Sequence, residues 1–229
     1  LARYSQNSAT DARRLAERSL RYMLLAALPL AWLTSLSAEP LIEWFARGTM
    51  DADPSEFAAS ITVLQLVIWG LPLQAANLVL NRTLIAAGRE RVFTLIGLAA
   101  LVTNAALNAL LIPRFGYYGA GAATVITLAQ SVALHAYNLG RTEYRHPLGR
   151  AFARPVATLA GSWAATAGLL HLLAPGWLDG WLLLELDAGW MAFLGGVGLW
   201  VSLYAVAALV TRAVDREDLA LLPQLLRRG

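Results

Sequence analysis

Cysteine and lysine are both absent from these 229 residues, and only 14% of the chain is charged. Without cysteine there are no disulfides, no thiolate metal sites and no thiol catalysis, and the redox compartment leaves no trace. Without lysine, all 18 basic residues are arginine. A water-soluble domain is about a quarter charged, so an ordinary soluble enzyme is excluded. What fills the gap is apolar: 58% of residues are hydrophobic and the mean hydropathy is +0.53. Disorder fails on the same ground. A net charge of +3 with a pI near 9.6 suits nucleic acid or a membrane surface, and the positions of the arginines decide between them.

A helix crossing the bilayer core needs about 20 apolar residues. Six uncharged runs meet that length: 22–38, continuing past Glu39 and Pro40 to Phe45, then 57–81, 92–113, 115–140, 155–178 and 188–211. The sequence therefore predicts an all-α, polytopic membrane helix bundle with six transmembrane helices. The arginines orient it. Segments 1–21, 82–91, 141–154 and 212–228 hold sixteen of the eighteen. The opposite side holds Arg47 and Arg114, beside Asp51, Asp53, Glu56, Asp179, Glu185 and Asp187. Arginine flanks spans on the inner side, so both termini are expected in the cytoplasm. The basic pI then reflects topology and anionic membrane lipids, with no role for nucleic acid.

Four regions follow: a cytoplasmic amphipathic segment at 1–21, a four-span transporter lobe at 22–140, two additional spans at 141–211, and a cytoplasmic tail at 212–229. The chain begins at Leu1 without a signal pattern, which reads as the interior of a longer protein. Residues 1–21 read as a helix capped by Thr10 or Asp11, with Leu15 and Leu20 on its apolar face. In the tail, Leu219, Leu222, Leu225 and Leu226 share a face interrupted by Pro223, which suits a short helix lying on the membrane.

Polar side chains inside the spans are the candidate site. Gln74, Asn77 and Asn81 are spaced i, i+3, i+7 and share a helix face, with Gln65 opposite. Asn104 and Asn108 share another at i, i+4. Amides in hydrocarbon need partners, so these faces turn to other helices or to a hydrated cavity. Pro29 and Pro72 lie inside runs and each removes a backbone donor. Gly116, Gly119 and Gly121, the ridge Ala157, Gly161 and Ala165, and Gly195, Gly196 and Gly198 interrupting the sixth run all read as close helix packing.

Nothing in the sequence supports catalysis, a metal or a cofactor. His135, His146 and His171 are far apart, with no metal-site spacing, and His135 and His171 read as satisfied packing residues near span ends. Asp51-Ala-Asp53 has the form of a nucleotide-sugar metal motif but sits in a short outer loop. Glu39 and Glu43, carboxylates at a span end, are candidates for ion coupling.

Two stretches carry a resemblance: "LQAANLVLNRTLIAAGRER" over 73–91 and "LNALLIPRFGYYGAGAATVIT" over 107–127, with "LSAEPLIEWFARG" over 36–48 in keeping. They resemble the C-terminal half of bacterial polysaccharide (oligosaccharide) flippases, in the multidrug/oligosaccharidyl-lipid/polysaccharide exporter superfamily. The resemblance covers roughly residues 15 to 140. It implies helices nine to fourteen of a fourteen-helix, two-lobe transporter in the bacterial inner membrane, working by alternating access with a missing N-terminal half. The implied substrate is an undecaprenyl-pyrophosphate-linked oligosaccharide, with polysaccharide polymerase machinery as a further partner. Gln74, Asn77, Asn81, Asn104 and Asn108 would then line the path, and Arg82 and Arg114 would meet the pyrophosphate at the cavity mouths.

The nearest alternative in the superfamily is a peptidoglycan lipid-intermediate flippase, favoured by "AEPL" and disfavoured by "LIPRFGYYGAGAAT". A multidrug antiporter would need a cation-coupling carboxylate deep in a span, which this sequence does not show. Of a different class, an integral-membrane polymerase or glycosyltransferase needs a larger outer loop than this chain provides, and a non-catalytic membrane scaffold differs from the leading reading only by the motif.

Overall fold

Proline placement sets where the long apolar runs bend. A computed structural model describes residues 2–45, 57–142, 148–173 and 189–211, and all regular elements among them are helices. These are α1 (Ala2–Leu36), α2 (Ala38–Phe45), α3 (Ala58–Val67), α4 (Gly70–Ala86), α5 (Glu90–Phe115), α6 (Tyr117–Leu139), α7 (Leu148–Leu173) and α8 (Gly189–Val210). The chain divides into two units, Leu1–Leu148 and Gly149–Gly229.

In the first unit α1 is one 35-residue helix. It passes through Thr10 and Asp11, so neither starts a helix and residues 1–21 are not a separate one. A Thr or Asp inside a helix costs at most about 0.7 kcal/mol against Ala, less than nucleating a second helix. Leu20, Leu24, Ala27, Leu28 and Ala31 form its buried stripe, and Pro29 lies within it without ending it. The chain turns at Ser37 instead. Pro40 then occupies the first turn of α2, where a missing N–H is tolerated.

The second run is broken. α3 ends at Val67, Ile68 and Trp69 form a turn, and α4 starts at Gly70. Pro72 has no N–H to give the Ile68 carbonyl, which accepts from Leu71 at 2.9 Å instead. α4 continues past Arg82 to Ala86 and ends in a Schellman cap: Gly88 adopts φ +71°, with Gly88 N–H on Ile85 O and Arg89 N–H on Leu84 O.

α5 and α6 fold back on each other at Gly116 (φ +55°). They pack so closely that a Cβ on Gly119 would lie 2.5 Å from the Leu111 carbonyl oxygen. Gly121 likewise backs onto Leu66 and Val67, so the expected close packing is present at Gly119 and Gly121, whereas Gly116 has open space beside it and serves the turn. α4 and α6 run parallel: Asn77 meets Leu128, and further along Leu84 shares a core cluster with Leu80, Ile96 and Leu139. α5 leaves Leu95, Leu98, Leu101 and Val102 exposed, an apolar face suited to lipid. Among the described residues four helical segments are long and apolar enough to cross a membrane: Arg13–Leu36, Ala58–Ala86 (α3 and α4 together), Glu90–Phe115 and Tyr117–Leu139. Val197–Val210 is a shorter apolar helix.

In the second unit the buried face of α7 is polar. Thr158, Ser162 and Thr166 are fully buried, and Thr158 Oγ1 lies 2.8 Å from Thr211 Oγ1 at the end of α8. The expected packing ridge of Ala157, Gly161 and Ala165 is exposed instead. The two stripes are one residue apart, about 100° around the helix, and the hydroxyls take the buried side because each can donate to its own helix. α8 is continuous through Gly195, Gly196 and Gly198, and Gly198 faces open space. A glycine inside a helix costs only about 1 kcal/mol, too little to interrupt it. The segment 212–229, Arg47, the acidic positions Asp51, Asp53, Glu56, Asp179, Glu185 and Asp187, His146, and the side chain of His171 lie outside the described residues.

Candidate functional site

The three amides expected to share one face of α4 differ in how deeply they are buried. The buried stripe of α4 comprises Gly70, Pro72, Ala76, Asn77, Val79, Leu80, Thr83 and Leu84. Asn77 lies within it, 5% exposed, and its amide nitrogen donates to the Leu128 carbonyl of α6 across 3.2 Å. Asn81 is at the stripe's edge, half-buried, with a buried carbonyl oxygen that has no partner among the described residues. Gln74 is exposed. Gln65, also exposed, reaches the Ser35 carbonyl at 3.4 Å.

Asn104 and Asn108 do meet. Asn108 Nδ2 donates to Asn104 Oδ1 at 2.9 Å, and Asn104 Nδ2 lies 3.4 Å from Thr127 Oγ1 on α6. Thr127 begins a stripe that sequence reasoning missed. Thr127, Ser131 and His135, at i, i+4, i+8, are all buried in α6. The spacing was legible, but each side chain bonds the carbonyl four residues back, so none needed a distant partner to be satisfied. His135 is only half satisfied: Nδ1 is on Ser131 O at 2.6 Å, and Nε2 is buried without a partner.

Arg82 is set apart from these amides. It lines a cleft of about 370 Å³ between α1 and α4, whose other walls are Leu15, Ala16, Ser19, Met23, Leu78, Val79, Thr83 and Ala86. No hydrogen bond or ion pair engages its guanidinium among the described residues. Thr83 spends its hydroxyl on the Val79 carbonyl. The cleft is thus an apolar wall with one free cation, in the size range of small-molecule sites, about 300–1,000 Å³.

The remaining candidates are dispersed. Arg114 is exposed at the far end of α5, about 39 Å from the α4–α5 turn at 1.5 Å per residue over 26 residues. Glu39 is exposed in the first turn of α2, and Glu43 is half-buried there. Among the described residues, no three His, Cys, Asp or Glu side chains group to hold a metal ion.

A family model described as lipid II flippase MurJ matches residues 1–188. The chain belongs to this family. No curated protein and no solved structure matches it. The MurJ match lies within the flippase superfamily expected from the sequence and extends beyond residue 140, where the motif resemblance ended, through α7. Within that superfamily it favours the peptidoglycan branch over the oligosaccharide branch. MurJ proteins are lipid flippases, so the chain is a multi-pass membrane protein of a transporter family.

Proposed function

We propose that this chain takes part in flipping lipid II, a polyprenyl-pyrophosphate-linked peptidoglycan precursor, between the leaflets of the bacterial inner membrane. The observation that supports it beyond the family is Arg82. A planar guanidinium donates two parallel hydrogen bonds to a phosphate and stays charged at any working pH. Set in an otherwise apolar cleft, it matches a molecule with a phosphate at one end and an isoprenoid chain at the other. The arginine bias supports placing the Arg82 end in the cytoplasm, where the lipid carrier is loaded. Gln74, the amides of α5 and Arg114 at the opposite end are proposed as later contacts on the path, and Glu39 and Glu43 as ion-coupling groups.

A second reading, an oligosaccharide-linked carrier of the same lipid chemistry, is favoured by the stretch 107–127. Transport assays in vesicles carrying the complete transporter separate the two. Faster movement of lipid II than of a polyprenyl-pyrophosphate oligosaccharide supports the first, and the reverse order supports the second. An Arg82→Lys transporter that moves both at full rate removes the cleft from either path.

A further inference from the structure

On α4, α5 and α6 four buried side-chain atoms have no hydrogen-bond partner among the described residues: Asn77 Oδ1, Asn81 Oδ1, Asn108 Oδ1 and His135 Nε2. All four are acceptors. For two of them chemistry settles the assignment. The Asn77 nitrogen is on the Leu128 carbonyl, which leaves its oxygen over. The Ser131 carbonyl can only accept, so His135 Nδ1 carries a hydrogen and the neutral ring presents a bare lone pair at Nε2. Asn77 is 5% exposed and His135 3%. The region between α4 and α6 therefore has acceptors in surplus and too few donors, a costly imbalance in a dry interior.

The parallel register of α4 and α6 brings two of these atoms to one level. Asn77 pairs with Leu128, and Leu84 clusters with Leu139. Asn81 lies between the first and second of these contacts on α4, and His135 lies between them on α6. We infer that this seam is a proton-binding site in which His135 Nε2 is the base, with Asn81 Oδ1 and Asn77 Oδ1 accepting from the protonated ring through bound water. One proton joins the nitrogen lone pair, and nothing is oxidised or reduced. Histidine is the side chain suited to exchange a proton near neutral pH, and an ionisable residue inside a membrane span is where transporters place such groups.

The charged and titratable groups on the elements packed around His135 leave the amides as its acceptors. α3 carries none, and α4 carries only Arg82, which faces the α1–α4 cleft. α5 has Glu90 and Arg91 at one end and Arg114 at the other, all exposed. Arg89, just before α5, donates to the Asn138 carbonyl at 3.0 Å. α6 adds Tyr117, Tyr118 and Tyr137, with Arg141 donating to the Tyr137 hydroxyl. A charge that comes and goes at His135 would shift the balance between transport conformations. That use rests on the flippase reading, whereas proton binding itself does not.

The test is nitrogen-15 NMR of the detergent-solubilised full chain, with His146→Gln and His171→Gln leaving His135 as its one histidine. The ring should pass from the neutral Nδ1–H form to the imidazolium as pH falls from about 8 to about 5. Asn81→Leu should move that midpoint down by about half a pH unit or more, because the charged ring loses its acceptor. Asn81→Ser, which keeps a hydroxyl oxygen, should move it less and serves if the leucine variant does not fold. A ring that stays neutral across this range, or the same midpoint in both Asn81 variants and the parent chain, overturns the site even if lipid II transport by the complete protein is intact.

Discussion

Asn77 on α4 donates its side-chain amide to the Leu128 carbonyl on α6 across 3.2 Å, joining two parallel helices inside the first unit. Such bonds between membrane helices contribute about 0.6–2 kcal/mol each. Asn77→Leu should therefore lower the thermal midpoint in detergent and reduce abundance in step with transport. Gln74→Leu, at an exposed position of the same helix, should leave the midpoint nearly unchanged. An Asn77→Leu protein that keeps its midpoint but loses transport would return Asn77 to the substrate path.

Arg82 and Arg91 are both exposed and nine positions apart, but only Arg82 lines the α1–α4 cleft. Arg82→Lys keeps the charge and loses the fork. Transport by the complete protein should fall severalfold with Arg82→Lys and stay near full with Arg91→Lys. Equal transport from both would make Arg82 one more topological charge.

Two glycines should respond to alanine differently. Gly88 has φ +71° with open space around it, so Gly88→Ala meets only backbone strain of about 1–2 kcal/mol. Gly119→Ala would drive a methyl to 2.5 Å from the Leu111 carbonyl oxygen and force α5 and α6 apart. The Gly119 variant should show the larger drop in thermal midpoint, and the reverse order would contradict the α5–α6 packing.

The 26-residue α5 spans about 39 Å at 1.5 Å per residue, longer than a bilayer core of about 30 Å. Its two ends should face opposite compartments. With no native cysteine in the chain, Tyr117→Cys should react with an impermeant thiol reagent in intact cells and Glu90→Cys should not. The opposite pattern would invert the arginine-based orientation.

The helical class, the apolar runs and the superfamily were legible in the sequence because they depend on composition and on local spacing. Arg82 stood out for the same reason, as a charge next to an amide-rich run. Its cleft did not, because four of the nine lining residues come from α1, some 60 residues earlier in the chain. Pro72 marked a break that the structure places four residues before it, where the Ile68 carbonyl takes the Leu71 N–H in place of the one Pro72 lacks.

Composition and period by themselves determined that this chain is a membrane helix bundle, since burial of apolar surface in lipid needs no knowledge of neighbours. They also determined which residues are polar within the spans. Only the tertiary structure decided what those residues do: Asn77 turns inward to Leu128 while Gln74, three residues earlier, stays exposed. It likewise chose Thr158, Ser162 and Thr166 over the adjacent small residues as the buried face of α7. The physical reason is common to both cases. A helix offers every face equally along its own sequence, and which face is buried depends on the helices packed against it.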